Sequence, residues 1–134
     1  MRFFIFIALA SLILSGCLPT IGNIKAPSEK GEFVKGEVVK GFPPLPLYPK
    51  AQVIETYGSK AGYGGSFVSQ DALTKVVNFY GPALSQLGWQ TTLRQKSQTS
   101  YVYEIKNNTY NGEVIINTAS DGKQTAITMS TEPR

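Results

Sequence analysis

Apolar and polar residues alternate along several short stretches of the chain, and along one longer stretch they follow a helical period. Gln52 to Tyr57 is rich in β-branched and aromatic residues, and from Trp89 to Lys96 apolar and polar residues alternate; both patterns are typical of strands. From Leu73 onward apolar residues recur three or four positions apart, which predicts one amphipathic helix. The stripe consists of Leu73, Val76, Val77, Tyr80, Leu84 and Leu87.

Polar and helix-breaking residues set the expected limits of that helix. Ser69 and Asp71 are candidates for its N-cap, and Gly88 predicts its end. Gly81-Pro82 interrupts the stripe, and proline lacks the N–H that a helix needs. We therefore expect a kink or a broken turn at that point.

Turn residues separate the remaining strands. Four glycines between Gly58 and Gly65 predict a hairpin loop, and Asn111-Gly112 and Asp121-Gly122 are two-residue hairpin signals. The resulting order is β-β-α-β-β-β-β. We expect an α+β fold, an antiparallel sheet of about five or six strands with one amphipathic helix packed on one face. The predicted sheet side of the core is Trp89, Leu93, Tyr101, Tyr103, Ile105, Val114, Ile116, Ile127 and Met129.

The residues before the first of these strands are expected to form a flexible tether, followed by an extended segment that packs on the domain. A five-residue near-repeat places glycine at 31, 36 and 41, and glycine weakens strands, so residues 17–42 are interpreted as a flexible spacer. A second interpretation pairs Phe33, Val34, Val38 and Val39 as a strand with a partner or with the edge of the domain itself. Prolines from Pro43 to Pro49 exclude helix, and we expect Leu45, Leu47 and Tyr48 to lie against the core. The predicted single α+β domain is 43–134.

An apolar run without charge or proline extends from Phe3 to Leu14, after Arg2. It has the length of a signal-peptide apolar region and is too short to span a bilayer. The run leads into the chain's one cysteine at Leu14-Ser15-Gly16-Cys17. These four residues resemble the lipobox of bacterial lipoproteins, which lipoprotein signal peptidase recognises.

The lipobox resemblance implies a processed and anchored protein. Residues 1–16 would be a signal peptide cut before Cys17, whose thiol would carry a diacylglycerol and whose new amino group is often acylated too. The family is exported and anchored to a bacterial membrane. Leu18, rather than Asp, resembles members sorted to the outer membrane, facing the periplasm; with a single membrane, the location is the outer face of the plasma membrane.

Composition excludes several functions. The formal charge is +4, and the basic residues are scattered singly, which does not fit nucleic-acid binding. There is no histidine, and with Cys17 committed to lipid there is no disulfide, so we expect no metal, no cofactor and no enzymatic activity. Glu104 and Glu113 are candidates to face each other across a hairpin, where carboxylates are usually just solvated.

Two functions are left open. The first, which we favour, is a non-catalytic interaction module that docks on an envelope protein through a sheet face or edge, with Tyr57, Tyr63 and Tyr110 as candidate anchors. A continuous row of outward apolar residues at one edge would support it. The second is binding of a small ligand or cell-wall component in a helix–sheet cleft near Pro82 and Trp89. The order Phe79-Tyr80 then Leu87-Gly88-Trp89 also resembles small α+β lipoprotein domains of unassigned function, which assigns no functional residues.

Overall fold

Strand pairing organises the computed structural model, which describes residues 31–134. Seven strands form one antiparallel sheet in the order β1-β2-β3-β7-β6-β5-β4. The elements are β1 (Glu32–Lys35), β2 (Gln52–Ser59), β3 (Gly62–Ser69), α1 (Leu73–Gln86), β4 (Gln90–Ser97), β5 (Ser100–Lys106), β6 (Tyr110–Thr118) and β7 (Thr125–Pro133). The predicted α+β class is confirmed, whereas the expected five or six strands are too few.

The additional strand is β1, which lies within the residues interpreted as a tether. It pairs antiparallel with β2, with Phe33 opposite Tyr57. Gly31 and Gly36 flank the strand, each with a positive φ, so they form its turns and do not interrupt its pairing. The sequence left open a flexible spacer or a strand paired with a partner or with the edge of the domain. In the described residues, β1 pairs with the edge of its own domain.

A segment that we call the strap, residues 36–50, continues from β1 along the helix side of the sheet. Thr56 of β2 is fully buried and holds the strap from both directions: its hydroxyl donates to the Glu37 carbonyl and accepts from the Val39 N–H, each at 2.8 Å. Val39 is only 4 % exposed. The strap is thus a packed layer of the domain, because buried backbone polar groups require partners of this kind.

The proline-rich half of the strap lies against the helix. Leu45 and Tyr48 are buried as predicted, while Leu47 points outward and is 43 % exposed. The Trp89 indole donates to the Pro44 carbonyl at 3.1 Å, and the Tyr48 hydroxyl donates to the Asp71 carboxylate at 2.6 Å. These bonds fix the strap to both ends of the helix.

Neither predicted cap is used by helix α1, which begins at Leu73, two residues after Asp71 and four after Ser69. Its N-cap is Ala72, without a side-chain cap hydrogen bond, because Asp71 accepts from Tyr48 and the Ser69 hydroxyl accepts from the Asp71 N–H. The stripe is buried from Val76 to Leu84, but Leu87 follows the helix end and is 47 % exposed. The helix continues through Pro82, so the predicted break does not occur.

The Tyr103 hydroxyl inserts into the helix beside that proline. It donates to the Val77 carbonyl at 2.7 Å and is itself hydrogen-bonded to the Gly81 backbone, whose regular helical acceptor is the same carbonyl. A Cβ at position 81 would lie 3.3 Å from this oxygen, so glycine leaves it room. Burial raises the pKa of Tyr103.

The sheet side of the core matches the predicted set with one exception. Leu93 is 46 % exposed and lies on β4, the last strand of the sheet. The turn at Asp121-Gly122 is confirmed, the Asp121 carboxylate accepting two backbone N–H groups. Asn111-Gly112 is not a turn: both residues lie in β6, and Asn107 closes the preceding loop.

The predicted signal peptide and lipobox, with Leu14, Ser15, Gly16 and Cys17, lie outside the described residues. The boundary between tether and domain at 42/43 stays a prediction. From residue 31 to the end of the chain, the one helix is too short to cross a bilayer.

Candidate functional site

The helix and strap cover one face of the sheet, and no other part of residues 31–134 forms a second layer on the opposite face. We call this uncovered side the open face. The strand registers place one residue from each of the seven strands in a single row across it. That row is Phe33, Tyr57, Gly64, Ser130, Glu113, Glu104 and Thr92.

The open face carries a groove of about 880 Å³. Most of the first row lines it, together with a second row one step further toward the β2–β3 turn. The second row is Ser59, Gly62, Glu132, Asn111, Lys106 and Gln90. The groove therefore crosses six strands, from β2 to β4, and is lined mainly by short polar and charged side chains.

Two glycines shape β3 beside the groove: Gly62 lines it, and Gly64 lies beneath the Tyr57 ring. Gly62 and Gly64 carry no side chain, and the Tyr57 ring lies across Gly64 so closely that an added Cβ would overlap it. Because residue 64 has no side chain, the Tyr57 ring can pack directly against the backbone of β3. The glycine-rich stretch predicted as a loop is in fact largely strand β3, with the turn limited to Lys60 and Ala61.

An aromatic pair closes the β1 end of the groove. The rings of Phe33 and Tyr57 stack with centroids 5.6 Å apart and an interplanar angle of 21°. Phe33 is 69 % exposed and Tyr57 40 % exposed. Ile54 and Val38 are also exposed, by 42 % and 39 %.

Carboxylates dominate the middle of the groove. Glu104 and Glu113 are direct cross-strand neighbours, as predicted, and Glu132 lies on the next strand. Arg94 forms an ion pair with Glu104. Within residues 31–134 neither Glu113 nor Glu132 forms an ion pair, and Lys106 is the cation that lines the groove. With Arg94 and Lys106 counted against the three glutamates, the groove has an excess of one negative charge, in a chain whose formal charge is +4.

The other two tyrosines named as candidate anchors lie elsewhere. Tyr63 and Tyr110 are partly buried on the helix side, with ring centroids 6.3 Å apart. Phe42 of the strap packs edge-on against Tyr63. Tyr57 is therefore the one member of that set on the open face.

The space between helix and sheet is filled. Trp89, Leu84 and Tyr103 are buried there, so the groove lies on the face opposite the cleft expected near Pro82. No group of three or more His, Cys, Asp or Glu residues suited to a metal ion occurs in the part of the chain that the structure describes. What the open face offers chemically is an aromatic surface beside unpaired carboxylates and amide side chains, an arrangement for binding.

Sequence reasoning identified Tyr57 and the Glu104–Glu113 pair but not the groove. The signal lay in the polar positions of the alternating strands, since Thr92, Glu104 and Glu113 all fall on the side turned away from the apolar set. Phe33 is named in the sequence only as part of a possible edge strand, and its stacking on Tyr57 depends on the pairing of β1 with β2. No protein-family model, curated protein or solved structure matches this chain.

Proposed function

We propose that the chain is a membrane-anchored lipoprotein of the bacterial cell envelope, and that its domain is a non-catalytic module that binds a partner protein through the open face. The observation that carries this proposal is the row across seven strands that ends in the exposed Phe33–Tyr57 stack. An antiparallel sheet can leave one face to solvent, so the uncovered face alone carries no argument, but large exposed apolar side chains at its rim are typical of interaction sites.

The dimensions of the open face fit a protein interface. Seven strands at about 4.8 Å spacing span about 29 Å, and the six strands other than the four-residue β1 have seven to nine residues and extend about 25 Å. The product is about 700 Å², close to the roughly 800 Å² that each partner contributes to a standard interface. Aromatic anchors surrounded by polar groups are also the composition that interfaces favour.

The lipobox resemblance supports the membrane part of the proposal. Lipid on Cys17 would hold the domain on the exported side of a bacterial membrane, on the outer membrane facing the periplasm where there are two membranes and on the outer face of the plasma membrane where there is one. A Cys17→Ala variant tests this part: membrane association and incorporation of labelled palmitate are both expected to be lost. Association that survives this substitution would contradict the anchor.

Site-specific photocrosslinking in intact cells tests the docking part. A photoreactive phenylalanine analogue is placed at Phe33, and, as a matched control, at Thr74 on the exposed side of α1. We expect one abundant protein adduct from position 33 and none from position 74. Adducts from position 74 alone, or from neither position, would overturn docking through the open face.

A second function, binding of a small ligand or cell-wall component, is favoured by one observation. The groove has the volume of a ligand site and carries amide side chains at Gln90 and Asn111. In this alternative the binding site is the open face and not the helix–sheet cleft. It predicts ligand-induced stabilisation in the presence of cell-wall fragments, with no protein adduct from position 33.

A further inference from the structure

We infer that the groove on the open face takes an extended protein segment that carries a lysine or arginine four positions from an apolar residue. The apolar side chain packs on the Phe33–Tyr57 stack, and the basic side chain reaches Glu113 and its neighbours. This inference rests on the proposed function and deepens it, because it names the chemistry of the partner.

Charge selects a cationic occupant. Glu104, Glu113 and Glu132 line the groove with one lysine, and Glu104 and Glu113 stand directly opposite each other. Like charges in such cross-strand positions repel, and a cation between them removes that repulsion. Arg94 already satisfies Glu104, whereas Glu113 and Glu132 have no ionic partner within residues 31–134.

The row of cross-strand neighbours sets the spacing of the segment. Tyr57 and Glu113 are separated by Gly64 and Ser130, hence by three strand spacings, or about 14 Å. An extended chain advances about 3.4 Å per residue, so four residues cover this distance. Side chains of an extended chain alternate between two sides, so residues four apart both point toward the sheet.

The small residues between the two ends allow the segment to approach closely. Gly62 lines the groove without a side chain, the Tyr57 ring lies flat over Gly64, and Ser130 adds only a hydroxyl. The backbone of the segment can therefore lie near the sheet, with Asn111 and Gln90 available to hydrogen-bond its peptide groups. An uncharged glycan would use the aromatic ring and the amides but would leave Glu113 and Glu132 without a counter-charge.

The test is a selection of random displayed heptapeptides on the full-length chain, purified in mild detergent. Enriched peptides are expected to carry Lys or Arg four positions from an aromatic or large aliphatic residue. Their affinity is expected to fall about tenfold in Glu113→Gln, at least as much in Tyr57→Ala, and to weaken in 0.5 M salt. Glu37→Gln, the same change on the exposed strap, is the matched control and should leave affinity unchanged.

Three results would overturn the inference. They are enrichment without a basic residue, affinity that Glu113→Gln does not change, and displacement of the peptides by a neutral oligomer of N-acetylglucosamine. Urea denaturation of each variant separates lost binding from lost folding. If Glu113→Gln leaves the Phe33 adduct in cells intact, the inference of a basic segment fails and the proposed docking through the open face is kept. If no position on the open face gives an adduct, both the inference and the proposed docking are rejected.

Discussion

The same strands form both faces of this sheet, but the two faces differ in burial and in the kind of side chain that they carry. On the helix side, Val114, Ile116, Ile127 and Met129 are at most 1 % exposed, and the hydroxyls of Thr56 and Tyr103 are held by hydrogen bonds. On the open face the residues next to them in sequence are charged, small or half-exposed. Side chains on the first face determine stability, and those on the second are free to determine binding.

The largest expected effect comes from a matched pair on strand β6. Ile116 is fully buried under the helix, and Ile115 is half-exposed on the open face. Ile116→Ala should lower the free energy of unfolding by about 3–5 kcal/mol, because it leaves a cavity, and Ile115→Ala by about 1 kcal/mol. Urea denaturation measures both, and equal losses would show that the open face is also covered.

The next effect tests whether the strap belongs to the core. Thr56→Val keeps the shape of the side chain but leaves the Val39 N–H and the Glu37 carbonyl without their partner. We expect a loss of about 2 kcal/mol and faster hydrogen exchange of the Val39 amide. Thr128→Val, on the exposed face, is the control and should cost less than about 0.5 kcal/mol. Unchanged exchange at Val39 would mean that the strap is held by other contacts.

The Tyr48–Asp71 hydrogen bond should make stability depend on pH at both extremes. That bond, more than the nearby Lys75, lowers the pKa of Asp71, so its stabilisation is present above about pH 4 and is lost as the pH falls through the lowered value. Burial and the same bond raise the pKa of Tyr48 to about 12, so stability declines as the pH rises from about 10 through 12.

Thermal unfolding of Tyr48→Phe across both ranges measures this effect. The variant should have a flatter stability profile at each extreme than the parent chain. A profile that superimposes on that of the parent would contradict the role of the bond. Near pH 7 the difference should be limited to the loss of one hydrogen bond.

The smallest effect has the opposite sign. Glu113→Gln removes the repulsion from Glu104 across the β5–β6 pair, and we expect it to stabilise the domain by a few tenths of a kcal/mol. A variant that is slightly more stable but binds basic segments less well would separate the two faces most clearly. A loss of stability would show that Glu113 contributes to the fold.

Sequence patterns predicted the helix side well and the open face poorly, for physical reasons. The apolar residues from Val76 to Leu84 recur with a helical period, so they share one face of the helix, and that face is the buried one. A local pattern is therefore enough to predict it. The pattern around β1 leaves both a spacer and an edge strand open, because it does not show whether glycines interrupt a strand or flank it. Asn111-Gly112 has the sequence of a two-residue turn, and its pairing with β7 is non-local, so the local pattern does not show it. The groove depends on the register of six strands, which local patterns do not contain.

The ordered strap also limits how far the domain can stand from its anchor. A flexible segment from 17 to 42 would let the domain move up to about 90 Å from a lipid on Cys17, since an extended chain spans at most about 3.5 Å per residue. Because the chain is already part of the sheet at Glu32, the longest possible connection is about 50 Å. Phe33, at one end of the groove, directly follows that connection. With the proposed lipid in place, the open face can be occupied only by something that is itself close to the bilayer.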